Sequence, residues 1–178
     1  MTRHKFWYYF KYIGLNIGVA AVLSVILIYY VISPFKIQGH SMAPVLEPGE
    51  RIIILKFSLQ ENNLRRFDIV VLDKPDDPGR KIIKRIVGLP GETIAVKENT
   101  VIINGRALAQ PFLRKDRRAP VTAFQQNPLY IPPDYYFVIG DNRDRSIDSR
   151  MFGAVHRKHI LGKAILRYWP PSKFGTIK

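Results

Sequence analysis

From Ile13 to Ile32 the chain runs for 20 residues without a charged side chain. At a rise of about 1.5 Å per residue a helix of that length reaches about 30 Å, the thickness of a bilayer's hydrocarbon core. Asn16 and Ser24 are its most polar members, and both are neutral, so a helix carries them through lipid at modest cost. Trp7, Tyr8, Tyr9 and Tyr12 at one end and Tyr29 and Tyr30 at the other suit the two membrane–water interfaces. A cleavable leader also begins basic and turns apolar, but its apolar core is about 7–15 residues long and closes on a small-x-small site. Here the exit reads Ile32-Ser33-Pro34-Phe35-Lys36, so the run is read as a retained anchor. Arg3, Lys5 and Lys11 flank its start with no acid among them, which puts the N-terminus in the cytoplasm and the rest outside, as in a single-pass protein of the cell membrane.

The cytoplasmic flank and anchor take residues 1–33 and leave residues 34–178, enough for one extracytoplasmic domain with its own core. Without Arg3, Lys5 and Lys11, 25 of the 28 basic residues remain against 14 acidic ones, a net charge of +11. In an outward-facing, anchored domain, anionic lipid head groups are the natural partners of that surface. No Arg/Lys-Gly-aromatic stacking motif points to nucleic acid. With no cysteine in the chain, disulfides, thiolate nucleophiles and cysteine metal ligands are excluded.

Beyond the anchor the pattern is strand-like: short β-branched runs separated by turn residues. Strands are expected over 35–38, 51–57, 68–72, 81–87, 92–96, 100–103, 135–139 and 163–168, giving a mainly β domain. Pro75-Asp76-Asp77-Pro78-Gly79 and Leu89-Pro90-Gly91 carry turn chemistry, and Asn104-Gly105 suits a hairpin. Residues 106–133, rich in proline and charge, have weak periodicity and read as a loop excursion.

Ser41 stands nine residues past the apolar run, in Gly39-His40-Ser41-Met42-Ala43-Pro44, so any chemistry it performs takes place at a membrane surface. A serine hydroxyl needs a neighbouring base to take its proton. Histidine is the usual partner, and the outer domain has His40, His156 and His159. His40 adjoins Ser41, where an extended chain points neighbouring side chains apart, and the other two lie in a charged segment that reads as surface. Lysine can replace histidine where burial disfavours its ammonium. Lys84 is the candidate, because a strand over 81–87 puts it on the face of Ile82 and Ile86, opposite Ile83 and Arg85. The ordinary fate of one lysine among 28 basic residues is to snorkel to solvent.

The acids of the segment from Gly140 to Gly153 are spaced somewhat like a calcium loop. Arg143 and Arg145 stand where such a loop wants oxygen ligands, and no glycine follows at its sixth place, so metal binding is rejected. Bidentate Asp–Arg pairs would instead stiffen a loop beside the site, with Ser146 placed to orient Lys84.

Gly39 to Leu46, the strand Asp68-Ile69-Val70, Lys84 to Glu92 and Gly140 to Val155 together resemble the four sequence boxes of the type I signal peptidases, in that family's order and after an N-terminal anchor. The resemblance covers nearly the whole chain. It implies an antiparallel β-sheet catalytic domain, and a serine endopeptidase that cuts signal peptides from translocated preproteins after a small-x-small site without cofactor or metal. In the implied Ser/Lys dyad, Ser41 is the nucleophile, Lys84 the general base and the backbone N–H of Ser41 an oxyanion donor. Ser146 is implied to hydrogen bond the lysine, and Asp148, Arg150, Asp141 and Arg85 to hold the surrounding loop. Phe35, Ile37, Met42, Leu46 and Ile83 are implied to line shallow pockets for two small substrate side chains. Some departures stand out: Gly39 where some members carry serine or threonine, Val45 for threonine, Arg145 for asparagine, and Arg66-Phe67-Asp68 without the glycine often found before the aspartate. The competing readings are a related Ser/Lys hydrolase acting on another substrate, of pilin-processing or self-cleaving type, and a non-enzymatic basic module that binds anionic lipid or the translocation machinery.

Overall fold

The uncharged run becomes most of a helix in the computed structural model, which describes residues 3–56, 64–97, 100–113 and 126–177. Helix α1 spans Arg3–Ile26 and loosens into a π-helical turn at Leu27–Val31. Its 23-residue segment Tyr9–Val31 is long and apolar enough to cross a membrane, and its apolar side chains are exposed. The two polar residues of the run satisfy themselves within the helix: Asn16 Nδ2 donates to Tyr12 O and Ser24 Oγ to Ala20 O, both at 2.8 Å. Back-bonding of this kind lowers the cost of carrying these side chains through lipid. Ile32, expected as the last residue of the run, already belongs to a strand and pairs with Leu55.

In chain order the strands are β1 (Ile32–Lys36), β2 (Arg51–Lys56), β3 (Ile69–Lys74), β4 (Asp77–Gly88), β5 (Thr93–Lys97), β6 (Thr100–Ile103), β7 (Arg106–Ala107), β8 (Gln126–Tyr130), β9 (Tyr135–Ile139), β10 (Val155–His156), β11 (Ile160–Trp169) and β12 (Gly175–Thr176). The domain is mainly β, as expected, and every pairing is antiparallel. A large sheet follows the order β1-β2-β11-β3-β4-β9-β10, with β12 beside β11, and a smaller one the order β7-β6-β5-β8.

β3 explains why the sequence closes around this sheet. Its run Ile69-Val70-Val71-Leu72 is buried throughout, because a central strand covered on both faces needs apolar residues at every position. Ile69 and Val71 join Ile37, Met42, Leu46, Ile52, Ile54 and Ile83 in one core cluster, while Val70 and Leu72 join Ile86, Val138 and Ile160 in another. A third cluster, including Val87, Ile94, Val101, Ile131 and Phe137, ties β4 and β9 to the small sheet. Each such side chain contributes about 1.5–3 kcal/mol by leaving water.

Departures from the expected elements are local. The reversal before β4 uses only Pro75 and Asp76; Asp77, Pro78 and Gly79 already belong to the strand. Asn104 (φ 48°) and Gly105 (φ 79°) both adopt the left-handed region, as a two-residue hairpin between β6 and β7 requires. Residues 106–133 are not all loop: β7 and β8 lie within them, and residues 114–125 fall outside the described part. β8 contains Pro128, which argues against a strand in the sequence, but β8 is an edge strand, where an N–H on the open side has no partner to lose.

Candidate active site

Ser41 sits in the turn that follows β1, and Lys84 in the middle of β4, opposite Val70 of β3. The strand pairing fixes the Lys84 backbone, and packing around it leaves the side chain 3% exposed. Its Nζ lies 2.9 Å from Ser41 Oγ and 2.9 Å from Ile83 O. Burial is the main reason its pKa falls from 10.5 to about 8; the positive charges of Arg150 and Arg80 push the same way, against Asp148 and Asp141. A lysine shifted toward neutrality, with a hydroxyl in hydrogen-bonding reach, is an arrangement that can pair a base with a nucleophile.

His40 lines the same cavity as Ser41, while the other two histidines are placed elsewhere. His156 Nδ1 accepts from Lys158 N at 3.1 Å and its ring meets Tyr135 edge-on, while His159 closes a short 3-10 turn.

Around the pair, Arg85, Asp141, Asp148 and Arg150 form a network of hydrogen bonds. Arg85 and Asp141, each 1% exposed in side chain, make a bidentate pair with Nε–Oδ1 2.9 Å and Nη2–Oδ2 2.7 Å. The remaining Arg85 nitrogen, Nη1, donates to Phe67 O at 2.9 Å, and the guanidinium lies 4.1 Å from the Phe112 ring centroid. Phe67 holds a φ of 74°, where glycine would rest more easily, and its ring packs edge-on against Phe112. The missing glycine before Asp68 is thus replaced by an aromatic that helps wall in Arg85. Asp148, fully buried, accepts from Gly140 N at 3.0 Å and from Arg150 Nε at 2.8 Å; Arg150 Nη2 in turn donates to Arg143 O at 2.7 Å.

Ser146 departs from expectation. Its Oγ is buried and makes no hydrogen bond, to Lys84 or to any other group. The hydroxyl lies instead over Gly140, where a Cβ would meet Ser146 Oγ at 2.3 Å and Ser41 O at 2.5 Å. Crowding of the two serines onto one residue requires glycine at position 140.

Other residues of the site escaped the sequence reading. Asn142 Nδ2 donates to His40 O at 3.0 Å and Asn142 N to Ser41 O at 2.9 Å, so the loop after β9 grips the serine turn by two carbonyls. Ser149 Oγ accepts from Val138 N at 3.0 Å and anchors the start of α2 (Ser149–Phe152) to β9. Both lie inside the Gly140–Gly153 segment, where their polar type was visible but their distant partners were not.

A cavity of about 690 Å³ opens over the pair, with Ser41, Lys84, Phe35 and Ile83 in its wall. Of the five expected pocket residues only Phe35 and Ile83 line it. Ile37, Met42 and Leu46 are buried in the cluster that also holds Ile83 and support it from within the core. Gly39, also in the wall, has a φ of 83°, so a side chain with a hydroxyl there would be strained.

Residues 10–169 match the family model described as signal peptidase, peptidase S26. The chain belongs to this signal peptidase family. It is 36% identical over 169 residues to a signal peptidase I of Leptolyngbya laminosa, covering 91% of this chain and 81% of that one. It is 34% identical over 173 residues to signal peptidase I V of Bacillus subtilis strain 168, covering 90% and 96%. Among solved structures, a signal peptidase I from Enterococcus faecalis V583 aligns with a TM-score of 0.50 at 32% identity, covering 58% of this chain and 98% of the other. The chain is therefore a serine peptidase, a hydrolase, with the fold of a signal peptidase I.

Proposed function

We propose that this peptidase is held in the cell membrane by Tyr9–Val31, with the N-terminus cytoplasmic, and cuts signal peptides from translocated preproteins after a small-x-small motif by a Ser41/Lys84 dyad. The observation that carries the reading is the 2.9 Å approach of a buried lysine to a serine hydroxyl. Neutral Lys84 donates one N–H to Ile83 O, which aims its lone pair at Ser41. Ser41 Oγ attacks the scissile carbonyl as Lys84 takes its proton; the N–H of Ser41 stabilises the oxyanion, and the resulting ammonium protonates the leaving amine. Water then hydrolyses the acyl-enzyme, with Lys84 acting again as base. Arg85, Asp141, Asp148 and Arg150 fix the loop after β9, and Asn142 carries that rigidity to the serine turn. Phe35 and Ile83 narrow the wall to small side chains.

The test is cleavage of a signal-bearing preprotein by the full chain in membranes. Ser41→Ala and Lys84→Ala are each expected to abolish processing with thermal unfolding still cooperative. Processing at the wild-type rate by the lysine variant would sink the dyad.

A further inference from the structure

A second cavity, also about 690 Å³, lies between the end of the apolar helix and the large sheet; it shares Pro34, Phe35 and Lys81 with the wall of the first cavity but contains neither Ser41 nor Lys84. Its size falls within the roughly 300–1,000 Å³ typical of small-ligand sites. Its lining includes the aromatics Tyr29, Tyr30 and Phe35 and the cations Lys56, Lys81, Arg157 and Lys158, with no carboxylate among the described lining residues. Lys56 has a fixed task. Its Nζ donates to Tyr29 O at 2.7 Å and Ile28 O at 3.3 Å, and lies 5.7 Å from the Tyr29 ring, so it ties the helix end to β2. Lys81 and Lys158 are exposed and come from different elements, β4 and the turn before β11.

We propose that this cavity binds the phosphate of an anionic phospholipid head group, with Lys81 and Lys158 as its charge partners and Tyr29 and Tyr30 flanking the glycerol region. The assignment rests on the membrane-anchored reading given above. Tyr29 and Tyr30 are 69% and 52% exposed and close the apolar segment, which sets them at head-group depth. A cation-lined cavity opening at that depth faces a dense supply of phosphodiesters, whereas a free anion would have to come from bulk solvent. Charge complementarity and continuity with the helix end thus select lipid over soluble phosphate.

The experiment uses the full chain in nanodiscs of phosphatidylcholine mixed with phosphatidylglycerol, counting lipids retained on the released protein by native mass spectrometry. Wild type is expected to retain phosphatidylglycerol in preference to phosphatidylcholine. Lys81→Gln/Lys158→Gln is expected to weaken that retention about thirtyfold, from about fivefold for each removed cation, and Lys158→Arg to preserve it. Equal retention of the two lipids by wild type, or unchanged preference in the double glutamine variant, overturns the site. Loss of retained lipid on adding inorganic phosphate overturns the choice of lipid over free anion. A chain that does not insert into nanodiscs at all fails the anchoring itself, an outcome distinct from insertion without preference.

Discussion

Replacing Lys84 with methionine tests whether the buried amine is held against its own stability. Holding an ammonium whose pKa falls from 10.5 to about 8 costs the folded state about 3 kcal/mol at pH 7. Methionine keeps the length and apolar stem but forfeits the contacts to Ser41 Oγ and Ile83 O, worth about 0.5–1.5 kcal/mol each. The net expectation is a variant about 1 kcal/mol more stable than wild type, or about 2–4 °C in Tm for a chain of this size, and inactive. The pH dependence sharpens the test. Because the folded pKa lies below the unfolded one, the unfolded state binds more protons between about 8 and 10.5. Wild-type stability therefore gains across that window relative to the variant, whose advantage is complete below pH 8 and fades toward pH 10.5. Thermal unfolding of both proteins in detergent, followed by circular dichroism from pH 7 to pH 10, measures this directly. A Lys84→Met protein less stable than wild type at pH 7, or an advantage that does not narrow above pH 8, would refute a desolvated lysine.

Cleavage by wild type is expected to fall about tenfold for each pH unit below about 8, as Lys84 becomes protonated, and to level off above it; a pH-rate profile with no inflection near 8 argues against the lysine as base. Gly140→Ala should cost at least a hundredfold in kcat, since its Cβ would press on Ser41 O at 2.5 Å and displace the nucleophile by part of an ångström; steady-state kinetics on a preprotein peptide read this. Arg85→Ala leaves the buried Asp141 carboxylate unpaired and should destabilise the protein by about 3–5 kcal/mol, while Arg85→Met/Asp141→Leu recovers much of that loss in urea unfolding. Asn142→Ala removes the bond to His40 O and should lower kcat more than it raises KM, a split that a purely structural loss would not give.

Much of the architecture was legible because it rests on local rules. The buried run at β3 and the left-handed pair Asn104-Gly105 declare themselves through residue type alone. β7, β8, β10 and β12 did not, because two-residue bridges and an edge strand holding Pro128 carry too little pattern to stand out from loop. Among candidate site residues, Ser41 stood out by its distance from the apolar run and Lys84 by the apolar face of its strand, with the motif order joining them, whereas Asn142 and Ser149 were passed over among many polar neighbours. Ile37, Met42 and Leu46 lie in the core instead of the cavity wall, a distinction that apolar residue type in the segment between β1 and β2 cannot make.

The sequence by itself determined that an uncharged segment precedes a β-rich domain, and that a serine, a lysine and an Asp/Arg-rich loop accompany it in a fixed order. Those are properties of composition and spacing, which folding does not change. Only the tertiary structure decided that Lys84 is desolvated and 2.9 Å from Ser41, that Ser146 Oγ faces Gly140 without a partner, and that Asn142 holds the serine turn. Burial and hydrogen bonding join residues 43 and 102 positions apart, and such distances close only when the sheets pack.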